Sequence, residues 1–599
     1  MGCSHGTSQV TPVAQSIPPE SPYCTQNVSF GDPVTVTGKA LFNIRQSSAQ
    51  GLGAEILGPH NGAIRYVEVQ ILDSAGNIIN CGETDANGNF SLTAPRNSSL
   101  VVNVNSRSFN SHAKVSVLDA PSSNVPYSLK QSFSTNTALN LITLPTMTAS
   151  AKTDILGGAF NILFNILRAN ESLRYLLCGK TSVDNGCAAF TVAPKVSAYW
   201  QKGVNPYSYF GRSDALSFYS MGTDQLFILG GSNSDTDNSD TDHFDDAVIS
   251  HEYGHFIEDH FGHSDSPGGG HDGDSILDAR LMWSEGWADF FSSVVRGSNV
   301  YRDTYGNIDG AKGTSSTGCL FNYDIEKNYD TGVGALDLPN EPWSSSATVP
   351  GLGNFREFTI TRALWDIVDP FNINPGGATV GSNGGFADDN SQDNTTSPFT
   401  TIWTTFTGAF HSPTNHFRNI GLFFVNDADP NLTTNPQLLN LQGIAATTKD
   451  YGDGLIVNGA DCPITITGND DPAGYNNIGA PSLNCKQGSL NVFCSNQFSS
   501  NDFFDVNQDG TISSITMQKL SGPAELDIYL YRENYTFGNA ADIFAQGPIG
   551  LTPLSKSINL SGLPQGHYLF NINVYTGNGN PTSASTYQLF VNGVKACPK

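Results

Sequence analysis

Residues His251-Glu252-Tyr253-Gly254-His255 form the pattern H-E-x-x-H, and Trp283-Ser284-Glu285-Gly286-Trp287-Ala288-Asp289 follows shortly after. On a helix, two residues four apart sit about 40° apart around the axis and roughly 6 Å along it. Two imidazoles at that spacing can grip one metal ion. Glu252, beside the first histidine, points off that seam toward the place a reacting water would take. The surrounding residues support the helix. Val248, Ile249, Phe256 and Ile257 give a core-facing stripe, with His251 and His255 along an adjoining edge. Asp245 and Asp246 suit its first turn, where the helix dipole favours negative charge.

A catalytic zinc usually takes three protein ligands and leaves one position open. The metzincin pattern would need a glycine and a third histidine where this chain has Glu258 and Phe261, so that route is excluded. Glu285 is the stronger third ligand. It is framed by Leu281, Met282, Trp283, Trp287, Phe290 and Phe291, and a carboxylate among such groups is costly unless paired or bound to metal. Asp289 lies one turn further on, placed to accept a hydrogen bond from a ligand histidine and hold its tautomer. The expected site is therefore His251, His255 and Glu285 around one zinc ion, Glu252 as general base and Asp289 in support.

H-E-Y-G-H followed by S-E-G-W-A-D-F-F resembles the gluzincin zinc metallopeptidases, the thermolysin-like and especially the fungalysin-like branches. The later Ala363-Leu364-Trp365-Asp366 is similar to a segment that follows the site in fungalysin-type enzymes. The resemblance covers roughly residues 200–370. It implies a zinc-dependent endopeptidase acting on protein or peptide substrates, with Glu252 taking the proton of the attacking water and delivering it to the leaving amine. Two departures stand out. The spacer between His255 and Glu285 is longer than in thermolysin, and no residue matches the family's oxyanion-stabilising partners. Arg356, Tyr323, Tyr329, His411 and His416 remain candidates for that role. Two alternatives stay open: a surface binding or adhesion protein with an inactive protease-like domain, and a zinc hydrolase of a non-peptide substrate.

A chain of 599 residues is too long for one core. Its formal charge of −26 repels phosphate backbones and anionic lipid, which argues against nucleic-acid or polybasic membrane binding. No run of 18 apolar residues is present to span a membrane. Met1-Gly2-Cys3-Ser4 and the polar stretch to about Gln26 resemble a bacterial lipoprotein after removal of its signal peptide. That resemblance implies a flexible tether over 1–26, a lipid anchor through Cys3, and an extracellular or outer-membrane-anchored protein.

Residues 27–150 read as strands, and T-D-A-N-G-N-F-S-L from Thr84 resembles the carboxypeptidase-regulatory-like (transthyretin-like) β-sandwich. Residues 151–484 carry helical patterns over Ile155 to Leu177, Ile276 to Val295 and Glu357 to Val368, and form the expected peptidase domain. Residues 485–599 return to strands, and L-D-I-Y-L-Y, G-H-Y-L-F-N-I-N-V and Y-Q-L-F-V resemble the pre-peptidase C-terminal β-sandwich. The fold class expected is multidomain α+β, with a mainly helical zincin-type core flanked by two all-β sandwich domains.

Calcium is only weakly indicated. The six aspartates from Asp235 to Asp246 read as a solvated loop. Asp505 to Gly510 starts like an EF-hand loop, but Thr516 stands where the bidentate glutamate belongs, so a β-turn is expected. Ten cysteines with no C-x-x-C pair suit disulfides in an exported protein. Sequence proximity suggests Cys178–Cys187, Cys462–Cys485, Cys494–Cys597 and Cys24–Cys81, leaving Cys3 and Cys319 unpaired.

Overall fold

The computed structural model describes residues 17–24, 28–48, 50–179, 186–212, 215–266, 271, 279–307, 319–325, 354, 356–368, 399–412, 418–426, 444, 453–466, 501–523, 525–532, 543–546, 554–575 and 585–598. The chain divides into two compact units, one of residues 10–260 with 291–324, the other of 1–9, 261–290 and 325–599.

In the first unit, the long strand Val34–Ser48 is a hub. It pairs antiparallel with Gly51–Leu57 and Asn89–Ala94, and parallel with Leu141–Thr143 and Met147–Ala149. A second, antiparallel sheet runs in the order Ile78–Glu83, Glu68–Leu72, Ser99–Asn105, Ser128–Ser134. Val34, Val36, Val69, Ile71, Val102 and Val104 are each fully buried, as the period-two side-chain alternation of a strand requires. The Thr84-Asp85 segment is a turn, as expected: Asp85 Oδ1 accepts from the amides of Asn87 and Asn89 at 2.8 Å each, and Gly88 takes a φ of 76°.

A third, mixed sheet has the order Phe218–Ser220, Gln225–Ile228, Val196–Trp200, Lys114–Leu118, Arg107–Phe109. Its three inner strands are parallel, and parallel strands buried on both faces read as short continuous apolar runs. V-S-A-Y-W and L-F-I-L are runs of that kind. Helix α1 (Leu156–Cys178) packs on this sheet and on Val34–Ser48. Its N-terminus approaches the segment before the H-E-x-x-H helix so closely that a Cβ on Gly158 would lie 2.8 Å from the His243 ring.

The expectation of a mainly helical core is overturned. Among the described residues six α-helices stand against 26 strands. The reason is the mixed sheet. Its short apolar runs carry no helical period, and a reading centred on the long amphipathic helices passes over them. Two of its strands, Arg107–Phe109 and Lys114–Leu118, come from the stretch assigned to the first sandwich, so this sheet crosses residue 150.

Residues 17–24 lie against the first unit's sheets rather than trailing as a tether. Cys24 is bridged to Cys81, and Glu20 accepts from Ser116 at 2.7 Å and from Arg107 at 3.1 Å. Arg107 also grips Glu68 with two bonds, Nε to Oε2 at 2.6 Å and Nη2 to Oε1 at 2.9 Å. Cys3 lies outside the described residues.

In the second unit, Trp287 stacks on Phe406 with ring centroids 3.8 Å apart, and Trp283 stacks on Phe423 at 5.2 Å. These contacts join the helix carrying Glu285 to α5 (Phe399–Thr407) and α6 (Ile420–Asn426). Further along, a ten-stranded sheet is built from residues 453–598. Asp453–Val457 pairs parallel with Asn501–Gln508 and antiparallel with Val594–Pro598, and Ile464–Ile466 pairs with Ser585–Val591. The turn expected over Asp505 to Gly510 starts only at Asp509, whose Oδ1 accepts from the Thr511 amide at 2.8 Å, because Asp505 to Gln508 continue the strand Asn501–Gln508.

Three disulfides are present among the described residues: Cys24–Cys81, Cys178–Cys187 and Cys462–Cys597. The third corrects the expected pairing. Sheet register carries Val457 opposite Ala596 and so brings together cysteines 135 residues apart. Proximity along the chain had no means of finding them. Cys485 and Cys494 lie outside the described residues.

One buried carboxyl in this sheet gives a pH signature. Tyr587 donates to Asp502 Oδ2 at 2.5 Å. Burial pushes the Asp502 carboxyl up to about 6, against the lowering by Tyr587. A folded-state pKa raised above the unfolded value means the folded form binds more protons, so this contribution is present at low pH and lost as pH rises from about 4 through 6. Asp502→Asn is expected to remove that slope and to stabilise the sheet by about 2 kcal/mol above pH 6. Urea unfolding at pH 4.5 and 7.5 checks it, and equal effects at both pH values would contradict it.

Candidate metal centre

The H-E-x-x-H segment is helical as expected, in α2 (Asp246–Phe261), with Asp246 in its first turn. Three amides of α1 fix its rotation. Asn161 Nδ2 and Asn165 Nδ2 donate to Asp246 Oδ1 at 3.1 and 2.9 Å, and Asn170 Nδ2 donates to Tyr253 Oη at 2.9 Å. With the apolar stripe and Tyr253 turned inward, His251 and His255 lie side by side, each 1% exposed. Their Nε2 atoms are 3.2 Å apart and their rings stand nearly perpendicular, at 84°. The Tyr301 ring meets His251 edge-on at 5.9 Å.

Glu285 sits on α3 (Ala279–Arg296) and is fully buried. The glycine beside it has a packing reason. A Cβ on Gly286 would meet Ile360 Cβ at 2.7 Å and the Glu357 carbonyl at 2.9 Å, so α4 (Glu357–Val368) can approach α3 only across a glycine.

His251, His255 and Glu285 bring one ligand atom each within 4.8 Å of one another. This buried group could hold a metal ion. The fit is good on chemistry: two imidazoles and one carboxylate are borderline donors of the set that binds zinc. It is good on distance as well, since the 3.2 Å between the imidazole nitrogens is close to the roughly 3.3–3.5 Å edge of a tetrahedron with metal–nitrogen bonds of about 2.0–2.1 Å. Glu252, 2% exposed, stands next to His251 in the chain, and Asp289, also 2% exposed, lies one turn beyond Glu285.

Sequence reasoning missed part of the surroundings. His271 Nε2 lies 3.4 Å from Glu285 Oε2, and its Nδ1 lies 2.7 Å from Glu357 Oε2. Burial pushes the Glu357 carboxyl up to about 7, with the charges of Asp289 and Glu285 adding to the rise and His271 opposing it. Glu258 Oε2 is 3.8 Å from His255 Nδ1 and fully buried. Only the i,i+3 spacing of His255 and Glu258 was a usable signal. The other two spare histidines are engaged elsewhere, His260 with Asp224 at 2.6 Å and His263 with Asp265 at 3.1 Å.

Of the oxyanion candidates, Arg356 is buried, and His411 directs Nδ1 at the Gly262 carbonyl. Tyr329, His416 and the Tyr323 side chain lie outside the described residues. The acidic loop departs from its reading as solvated: Asp242 and Asp245 are 3% and 1% exposed. No helix among the described residues is long and apolar enough to cross a membrane. No family model matches the chain, and no curated protein matches it.

Proposed function

We propose that the chain is a zinc-dependent endopeptidase that hydrolyses peptide bonds of extracellular proteins. The observation that carries the reading is the convergence of His251, His255 and Glu285, all buried, with Glu252 adjacent on the same helix. His251 and His255 would hold the ion from α2 and Glu285 from α3. A zinc ion so bound supplies Lewis acidity, which makes a peptide carbonyl more electrophilic and a water easier to deprotonate. Glu252 accepts the proton of the attacking water and passes it to the nitrogen of the leaving amine. Asp289 and His271 orient the ligand side chains. No covalent intermediate with the chain is needed, so no serine or cysteine nucleophile is assigned.

The three disulfides are consistent with an extracellular protein. Export, with a lipid anchor through Cys3, is the accompanying proposal. The test is metal analysis together with digestion of casein and a fluorogenic peptide library on one sample. The reading expects about one zinc per chain, cleavage lost with phenanthroline, and recovery on adding zinc. Bound zinc with no cleavage of any peptide would favour a binding protein or a hydrolase of another substrate class.

A further inference from the structure

A cavity of about 600 Å³ opens on the unit of residues 10–260 and 291–324, and none of the residues that line it belongs to the metal group. Three of its lining residues are cations, Arg45, Lys152 and Lys202, against one acid, Asp237. A positive wall stands out on a chain whose formal charge is −26. We propose that this cavity binds a small, multiply charged oxyanion, a phosphate ester or a polycarboxylate, held by Arg45, Lys152 and Lys202.

The three cations come from separate elements. Arg45 lies on the hub strand Val34–Ser48, Lys152 between the strand Met147–Ala149 and α1, and Lys202 just past the strand Val196–Trp200. Two departures from regular backbone shape the cavity they share. The pairing of Val34–Ser48 with Gly51–Leu57 shifts register between Arg45 and Ser47, an irregularity of the kind that re-aims a side chain. Ile155, which lines the cavity and is 6% exposed, takes a φ of 56°, a conformation that a β-branched residue rarely adopts. Such strain persists only where the surrounding structure enforces it, and it gathers at ligand sites.

Among the described residues no carboxylate forms an ion pair with Arg45, Lys152 or Lys202. The acids nearby are engaged elsewhere. Asp237 Oδ1 accepts from Asn307 Nδ2. Glu55, close enough to Lys152 for their charges to interact, accepts from Asn43 at 2.9 Å, Ser150 at 3.1 Å and the Ala151 amide at 2.8 Å. Arg45 is fixed by neutral groups, donating through Nε to the Gly53 carbonyl at 2.5 Å and through Nη2 to that of Leu52 at 3.2 Å. These bonds hold the guanidinium without cancelling its charge, and a planar fork already held in place loses little entropy on meeting an oxyanion. The positive field also reaches His243 in the cavity wall. Burial pushes that imidazole down to about 3, and the charges of Lys202 and Arg45 push the same way against a hydrogen bond with the Leu229 backbone. The volume falls within the roughly 300–1,000 Å³ of small-ligand sites, so the anionic groups belong to a molecule larger than a lone inorganic ion.

The test uses the full chain, with its zinc content measured before and after, titrated calorimetrically in low-salt buffer with fructose 1,6-bisphosphate and, separately, with tricarballylate. The expected result is saturable binding of at least one of the two, with a dissociation constant below about 1 mM, and a raised melting temperature. Binding of the bisphosphate alone assigns phosphate as the group recognised, and binding of tricarballylate alone assigns carboxylate. Lys152→Ala combined with Lys202→Ala removes two exposed side chains, and is expected to leave the fold intact and weaken binding by at least about tenfold. Lys39→Ala combined with Lys130→Ala removes the same charge away from this cavity and is expected to leave binding unchanged. Absence of heat and of any melting shift with both ligands up to about 10 mM would overturn the proposal. Equal affinities in the two double variants would overturn it too, by showing that Lys152 and Lys202 are not a distinct site. Neither readout depends on peptidase activity, so failure here is separable from failure of the peptidase reading.

Discussion

Glu252→Gln is expected to leave a folded, metal-loaded protein whose turnover falls by about 10²–10⁴-fold. The substitution keeps the shape of a side chain that is 2% exposed and flanked by buried neighbours on α2. It removes only the capacity to accept and return a proton. Metal content should be unchanged, because Glu252 is not among the three residues, His251, His255 and Glu285, that could hold the ion. A loss of turnover with KM little altered would mark an interaction made in the transition state. The measurement is kcat and KM on a fluorogenic peptide, with metal analysis of both proteins. Unreduced turnover in the zinc-loaded variant would remove Glu252 from the mechanism, and a loss of zinc would assign it a structural role instead.

Arg107→Met is expected to cost about 3–5 kcal/mol of stability in the unit of residues 10–260 and 291–324. Arg107 and Glu68 are 2% and 0% exposed and joined by two hydrogen bonds, so removing the guanidinium leaves a buried carboxylate without this cation. Glu68 also accepts from Asn105 Nδ2 at 2.6 Å and from the Cys24 amide at 2.7 Å, which would not neutralise it. The guanidinium reaches further, to the carbonyls of Ser21 and Pro22 at 2.6 and 3.0 Å. Its loss should therefore raise hydrogen exchange across residues 20–24 as well as lower the denaturation midpoint. Adding Glu68→Gln should recover a large part of the loss, since the penalty lies in the abandoned buried charge. A single variant as stable as the parent would mean the pair is not what holds residues 20–24.

The helices of the site were legible because an amphipathic period persists over many residues. Leu156–Cys178, Asp246–Phe261 and Glu357–Val368 fall close to where their apolar residues place them. The metal group was legible for the same reason, since two of its members are fixed by one helix. What escaped detection depends on residues distant in the chain. His271 and Glu357 meet across 86 positions. Cys462 and Cys597 are brought together by strand register, which a one-dimensional reading does not contain. The mixed sheet escaped because Val196–Trp200 and Gln225–Ile228 are too short and too apolar to show a period. The acidic loop misled for another reason: aspartate usually signals solvent, and here Asp242 and Asp245 are buried.

The strand Lys114–Leu118 sits inside the mixed sheet, hydrogen-bonded in parallel to Val196–Trp200 on one side and antiparallel to Arg107–Phe109 on the other. The segment before residue 151 is therefore not a detachable accessory. A shortened version starting near residue 151 would leave Val196–Trp200 as an open, apolar edge with its backbone amides and carbonyls exposed. Such an edge recruits strands from other molecules, so truncation would yield aggregation rather than a smaller working protein.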